Sequence, residues 1–280
     1  MKTTLVDTVE LAAHPQWRTF DCRHDLADPH AGARAYAQGH IPGALHAPLD
    51  TLLSGPRTGQ NGRHPLPDPQ LLAEWLGQNG VGPQDQVVTY DASGGIYAAR
   101  LWWLLRWLGH PAVAVLDGGL SHWQQEGRPV SEVVPRFTPV NFYATADSAA
   151  CVDVDAVVDN LLRPKYLVID ARSAGRYAGI GDTMDPRGGH IPGAVNRPYT
   201  DNLGPDGRFR APAELAAAFN ALTTHAFCLQ VVAQCGSGVT ACHNLLAMEI
   251  ARLPPGLLYA GSWSEWCSDM ARPIRAGPEP

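Results

Sequence analysis

The sequence has no surplus of positive charge, no recognisable export signal and no long apolar run. Its 280 residues carry 21 Lys and Arg against 27 Asp and Glu, which gives a formal net charge of −6. A chain with this balance binds nucleic acids and anionic membrane surfaces poorly, so neither is expected as a partner. The residues after Met1 do not form the apolar core of a signal peptide, and the longest uncharged stretch, residues 215–248, contains polar side chains. These absences predict a cytoplasmic protein without a membrane anchor.

The sequence also lacks the paired cysteines of common zinc and thiol–disulfide motifs. Six cysteines are present, and no two of them form a Cys-x-x-Cys pair. In a cytoplasm such cysteines are expected to be reduced thiols. We therefore expect no metal site and no cofactor. The six are Cys22, Cys151, Cys228, Cys235, Cys242 and Cys267.

What the sequence does contain is a long internal repeat. The hexapeptide Gly39–Ala44, Gly-His-Ile-Pro-Gly-Ala, recurs unchanged as Gly189–Ala194, and other short pieces recur in the same order at offsets of 143–150 residues. A period of this length is far beyond that of a solenoid repeat and indicates two copies of one domain. The predicted boundaries are an N-terminal domain over residues 1–138, a proline-containing linker over 139–150 and a C-terminal domain over 151–280.

Within each copy, short apolar runs alternate with helix-like segments. This alternation is typical of an α/β fold with a mostly parallel sheet flanked by crossover helices. Pro69 and Pro212 suit the first turn of a helix, and Gly109 suits the position after a helix end. The predicted strands are 86–90, 112–116, 166–169 and 227–233, and the predicted helices are 69–76, 96–108, 212–222 and 239–251.

One strand–loop–helix unit differs between the copies in its chemistry. The first copy reads Asp-Ala-Ser-Gly-Gly from Asp91, and the second reads Cys-Gly-Ser-Gly-Val-Thr from Cys235. Glycines let such a loop curl, so that its backbone amides and the following helix N-terminus form a cradle for an anion. A thiol in this position is expected to ionise more readily than a free thiol. Cys235 is therefore the predicted nucleophile, and the other cysteines are predicted to be structural.

Together these motifs resemble those of the two-domain rhodanese-family sulfurtransferases. The repeated hexapeptide, the Cys235 loop and the Leu-Asp-Gly-Gly-Leu of Leu116–Leu120 carry the resemblance, which covers essentially the whole chain. It implies two tandem rhodanese-like domains, of which only the C-terminal one carries a persulfide-forming cysteine. The implied reaction takes a sulfane sulfur from a small-molecule donor and passes it to a thiol acceptor such as thioredoxin, or to cyanide.

The loop after the cysteine indicates the donor. Thiosulfate-specific relatives carry a basic Arg-Lys pair there, whereas this chain has Gly236 and Ser237 and resembles the 3-mercaptopyruvate sulfurtransferase form. Two arginines earlier in the chain match carboxylate-binding arginines of the family, Arg176 more closely than Arg187. The donor-binding residues implied by the resemblance are Gly236, Gly238, Val239, Thr240, Arg176 and Arg187.

The same resemblance implies a proton relay formed by a serine, a histidine and an aspartate. Ser237 lies two residues after the nucleophile, and the matching partners in the N-terminal domain are His64 and Asp50. A histidine moves protons near neutral pH, and a carboxylate can orient it. His40 and His190 occur in both copies, including the copy without the nucleophile, and are predicted to have a structural role.

Three alternatives accompany this interpretation. A thiosulfate sulfurtransferase would run the same reaction with another donor, and a non-catalytic sulfur-carrier module would hold a persulfide without turnover. A cysteine-dependent phosphatase of related fold needs an arginine that closes the loop around phosphate. Ala241 and Cys242 stand at that point of this chain, so the phosphatase alternative is disfavoured.

Overall fold

The computed structural model describes residues 1–181, 184–223 and 230–280. These residues form two compact units, each of which has its own sheet. In the part of the chain that the structure describes, no helix is both long enough and apolar enough to cross a membrane. The first unit comprises Met1–Gly55, Leu66–Asp147 and Pro205–Arg208, and the second comprises Pro56–Pro65, Ser148–Gly204 and Phe209–Pro280.

The first unit is built around a five-stranded parallel sheet. Its strands are β1 (Leu5–Val6), β2 (Arg18–Asp21), β3 (Ala44–His46), β4 (Val87–Tyr90) and β5 (Val113–Leu116). They lie in the order β1-β5-β4-β2-β3, and every pairing is parallel. The helices are α1 (Thr8–Ala13), α2 (Ala31–Gln38), α3 (Pro69–Gln78), α4 (Ile96–Trp107) and α5 (Gly119–Gln125).

The second unit repeats this arrangement. Its strands are β6 (Cys151–Val152), β7 (Tyr166–Asp170), β8 (Val195–Asn196), β9 (Gln230–Gln234) and β10 (Leu257–Tyr259), in the parallel order β6-β10-β9-β7-β8. The helices are α6 (Val154–Leu162), α7 (Ala174–Ala178), α8 (Pro212–Thr223), α9 (Thr240–Ile250) and α10 (Ser262–Trp266). Because the strand order is the same in both units, the predicted tandem α/β fold is confirmed.

The individual elements also follow the sequence pattern closely. Pro69 is the first residue of α3, and the Asp68 side chain caps that helix by accepting backbone N–H groups at 2.8 and 3.0 Å. Gly109 follows α4 with φ +85°, a conformation that glycine adopts without a steric penalty. The structure describes β9 from Gln230 onward, so residues 227–229 of the predicted strand lie outside the described residues.

The repeated hexapeptide makes the same contacts in both units. The rings of His40 and His190 are fully buried and stack on Tyr36 and Tyr177 at centroid distances of 3.9 and 3.8 Å. In each case Nδ1 lies 2.9 Å from the backbone oxygen of the same tyrosine. This duplication of contacts supports a structural role for both histidines.

Candidate active site

The Cys235 side chain lies at the carboxyl end of β9, in the loop that leads into α9. Its Sγ accepts backbone N–H groups from Ser237 at 3.4 Å and from Gly238 at 3.1 Å, and the residue is 2% exposed. Gly238 has φ +76°, and a Cβ atom at this position would lie 2.4 Å from the backbone oxygen of Ala260. Only glycine therefore lets the loop curl so that its N–H groups point at the sulfur.

The start of α10 holds the Cys235 loop in place. Backbone N–H groups of Trp263 and Ser264 donate to the carbonyl oxygens of Cys235 and Gly236, at 2.9 and 3.0 Å. The Ser262 hydroxyl accepts the N–H of Cys235 at 3.1 Å. With these carbonyl groups engaged by α10, the loop presents the N–H groups of Ser237 and Gly238 to the sulfur. This preorganisation is what an electrostatic binding site for developing negative charge requires.

The matching loop of the first unit surrounds a carboxyl group. Asp91 occupies the position that matches the cysteine, and burial raises the pKa of its carboxyl group while four backbone N–H groups oppose that rise. A carboxyl group thus fits the curled loop of the first copy, and the amide cradle expected for this loop type is present there. The N–H donors to Asp91 are Ser93, Gly95, Tyr97 and Ala98, at 2.7, 2.9, 2.8 and 3.0 Å.

The structure brings together two of the three residues of the predicted relay. His64 Nδ1 lies 2.7 Å from Ser237 Oγ, and both residues are buried, at 2% and 6% exposure. The third residue, Asp50, belongs to the first compact unit, where its carboxylate lies 3.8 Å from Nε2 of His24. The orienting role of Asp50 stays a prediction.

His64 reaches the Cys235 loop because the segment Pro56–Pro65 packs as part of the second unit. Gly62 has φ +83°, and a Cβ atom there would lie 2.6 Å from the backbone oxygen of Gly261. The next residue, Arg63, donates its backbone N–H to Ser264 Oγ at 3.0 Å. The segment is therefore anchored on the same turn that holds the Cys235 loop.

Two guanidinium groups face the residue after the nucleophile. A Cβ atom at Gly236 would lie 2.7 Å from Nη2 of Arg63 and 3.2 Å from Nη2 of Arg176. Both arginines form ion pairs with Asp185, and the pair with Arg176 has an N–O distance of 3.0 Å. The Asp185 side chain is 2% exposed. A buried carboxylate thus joins the two cations beside the cradle.

Arg63 was not among the residues expected from the sequence, whereas Arg187 was. The Arg187 guanidinium donates through Nη1 to the backbone oxygens of Asp269 and Arg272, at 3.2 and 3.3 Å. Its role in donor binding stays a prediction. The signal that could have identified Arg63 is its position directly before His64, since adjacent residues of an anchored segment reach the same site.

The remaining loop residues line the start of α9. Thr240 is the first residue of that helix, and Val239, which is 5% exposed, occupies its N-cap position. The Gly236 backbone oxygen accepts the Ser264 N–H at 3.0 Å. The predicted loop residues thus follow Cys235 directly and end at the first residue of α9.

Comparison with known proteins identifies the family. The model of the rhodanese-like domain matches twice, over residues 6–126 and 153–269. The chain belongs to the rhodanese-like family. It is 45% identical over 278 residues to a probable 3-mercaptopyruvate sulfurtransferase of Pseudomonas aeruginosa, with 98% of each chain covered. It is also 34% identical to a thiosulfate sulfurtransferase of Mus musculus, over 90% of this chain and 85% of the relative.

A solved structure agrees with this assignment. SseA from Escherichia coli, a 3-mercaptopyruvate sulfotransferase with the rhodanese fold, superposes with a TM-score of 0.82 at 31% identity. The match covers 94% of this chain and 99% of SseA. The predicted two-domain rhodanese-like architecture and the predicted class of enzyme, a sulfurtransferase, are confirmed.

The other cysteines of this rhodanese-like chain lie in less favourable surroundings. Burial, followed by the charges of Asp91 and Asp21, raises the pKa of Cys22 well above its ordinary value. Burial likewise raises the pKa of Cys267 to about 11. Cys242 donates its thiol to the Gly238 oxygen at 3.3 Å. Cys151 is half-buried, and Cys228 lies outside the described residues.

Proposed function

We propose that this protein is a 3-mercaptopyruvate sulfurtransferase that works through a persulfide on Cys235. The observation that carries the proposal is the position of Sγ, which accepts N–H groups of Ser237 and Gly238 in a loop that holds a carboxylate in the other copy. The thiolate is the reactive form of cysteine, and both N–H groups are placed to donate to it. They also stabilise the negative charge of the persulfide.

The first half-reaction moves one sulfur atom. The Cys235 thiolate attacks the sulfur of mercaptopyruvate, an S–S bond forms, and the C–S bond of the donor breaks. The electron pair of that bond leaves with the carbon as the enolate of pyruvate, and the thiol proton of the donor stays on the outer sulfur. The enolate takes a proton at carbon to give pyruvate.

Ser237 and His64 are suited to supply that proton. The hydroxyl can give its proton to the enolate carbon while His64 Nδ1, 2.7 Å from Oγ, returns one to the oxygen. A histidine is suited to this task because the unperturbed pKa of an imidazole is close to neutral pH.

The donor carboxylate is proposed to bind Arg176, whose guanidinium lies next to the Gly236 position. A guanidinium forms charge-assisted hydrogen bonds with carboxylates. In the second half-reaction a thiolate acceptor such as thioredoxin, or cyanide, attacks the outer sulfur and releases Cys235 as a thiolate. The cytoplasm is the proposed compartment, since the five cysteines that the structure describes are free thiols.

Thiosulfate sulfurtransferase is the second candidate, because relatives with 33–34% identity carry that name. The two candidates differ in a side-by-side assay of pyruvate release from mercaptopyruvate and sulfite release from thiosulfate. We expect kcat/KM to favour mercaptopyruvate, and a preference for thiosulfate would reverse the donor assignment. Persulfide formation without turnover of either donor would instead support a sulfur-carrier module.

A further inference from the structure

We infer that Asp185 sets the donor preference by cancelling one of the two guanidinium charges that Arg63 and Arg176 place beside Cys235. This inference rests on the proposed function and adds a specificity-determining residue to it. The ion pairs of the Asp185 carboxylate with both arginines and its 2% exposure carry the argument. Neither Asp185 nor Arg63 was expected from the sequence.

The position of the three charges relative to the nucleophile is the first step. Both guanidinium groups approach the Gly236 position, at 2.7 Å for Arg63 and 3.2 Å for Arg176, and Gly236 is bonded to the nucleophile residue. Any anionic donor that presents a sulfur atom to Cys235 therefore places its other end near these cations. With Asp185 included, the three side chains sum to a single positive charge.

The second step is that Asp185 is held in place by its own segment. Two residues further on, the backbone oxygen of Arg187 accepts the indole N–H of Trp263 at 3.0 Å, and the Arg187 side chain binds the backbone oxygens of Asp269 and Arg272. Pro186, between the two, has a fixed φ. The carboxyl group of Asp185 is therefore a fixed part of the site, next to the two arginines.

The third step concerns what this net charge selects. Mercaptopyruvate carries one negative charge on its carboxylate and is matched by a single net positive charge. Thiosulfate carries two negative charges, so a further positive charge would strengthen its Coulomb attraction twice as much as that of the monoanion. Since both guanidinium groups and the carboxylate are largely removed from solvent, screening by salt weakens this difference only in part.

The test removes the charge of Asp185 without changing its shape. For Asp185→Asn we expect the ratio of kcat/KM for mercaptopyruvate to that for thiosulfate to fall by about fivefold or more. Arg63→Gln should shift the ratio in the opposite direction. The double variant Asp185→Asn with Arg63→Gln has the wild-type net charge and should return the ratio to within about twofold of wild type. Asp159→Asn, at a 73% exposed carboxylate of α6, is the matched control and should leave the ratio unchanged.

A second readout needs no sulfur transfer. Alkylation of Cys235 by iodoacetate, an anion, is compared with alkylation by neutral iodoacetamide, and both rates are followed by peptide mass spectrometry. Asp185→Asn should raise the iodoacetate-to-iodoacetamide rate ratio by about threefold or more, because the added positive charge attracts only the anion. Changes in thiol reactivity alone cancel in this ratio.

The outcomes separate the two proposals. An unchanged alkylation ratio in Asp185→Asn would overturn the claim that Asp185 offsets a guanidinium charge beside Cys235. A shifted alkylation ratio with an unchanged donor ratio would overturn the claim that this charge selects the donor. If the wild-type protein turned over neither donor, the proposed function would fail. The alkylation ratio would still show whether Asp185 offsets a guanidinium charge beside Cys235.

Discussion

The contact between Gly62 and Gly261 allows a sharp test of how the site is assembled. Gly62→Ala adds one methyl group, whose carbon would lie 2.6 Å from the Gly261 backbone oxygen and 3.1 Å from its Cα. Both obstacles are backbone atoms, so no side-chain rotation relieves the contact. The segment Pro56–Pro65 must then move away from the turn, and His64 moves with it.

The size of the effect follows from two contributions. A left-handed conformation at a residue other than glycine costs about 1–2 kcal/mol by itself. The steric contact adds to this cost and is avoided only if the segment shifts. Loss of the bond between His64 and Ser237, now 2.7 Å, removes a proton relay of the kind that contributes roughly 10²–10⁴-fold to rate. We therefore expect kcat/KM for mercaptopyruvate to fall by about a hundredfold.

The same segment offers a matched control. Gly59 has φ +87° and nothing within 4 Å of its Cβ position, so Gly59→Ala carries the conformational cost without the contact. Pyruvate release measured for both variants should fall by about a hundredfold in Gly62→Ala and by no more than about threefold in Gly59→Ala. Equal activities for the two variants would refute the anchoring role of Gly62.

Three further predictions concern the cations, the first-unit loop and the donor. Arg176→Ala should raise KM for mercaptopyruvate about tenfold or more, since a charge-assisted hydrogen bond is worth about 1.5–3 kcal/mol. An unchanged KM in steady-state assays would exclude Arg176 as a ligand of the donor carboxylate. Asp91→Ala leaves four N–H groups, three of them in buried hydrogen bonds, without their acceptor and should lower the free energy of unfolding by at least ~2 kcal/mol in urea titrations, whereas an unaltered midpoint would contradict its role as the acceptor that holds this loop. Gly236→Arg with Ser237→Lys should lower the mercaptopyruvate-to-thiosulfate ratio of kcat/KM about tenfold, and a constant ratio would place donor choice outside the loop.

The regular elements could be predicted because each carries a local signal. Strands β4 and β5 are buried along their whole length and appear in the sequence as short apolar runs. Pro69 marks the start of α3 and Gly109 the end of α4. The repeat then implied that the second unit shares the order of the first, which the two sheets confirm.

The site divides into a local part and a long-range part. Cys235 and Ser237 share one loop whose glycines are visible in the sequence, so their proximity follows from local chemistry. The contact of His64 with Ser237 spans 173 residues, and only the family resemblance suggested it. The ion pair of Arg63 with Asp185 spans 122 residues and has no periodic or spacing signal, because tertiary packing of an irregular segment creates it.

The most direct test of the central claim is the mass of the protein after one turnover with mercaptopyruvate in the absence of an acceptor. The proposed mechanism predicts one added sulfur atom on the peptide that contains Cys235, with one equivalent of pyruvate released. Cys235→Ser should show neither product, and Cys22→Ser and Cys267→Ser should show both. Sulfur on another cysteine, or pyruvate release that persists in Cys235→Ser, would contradict the assignment of Cys235 as the nucleophile.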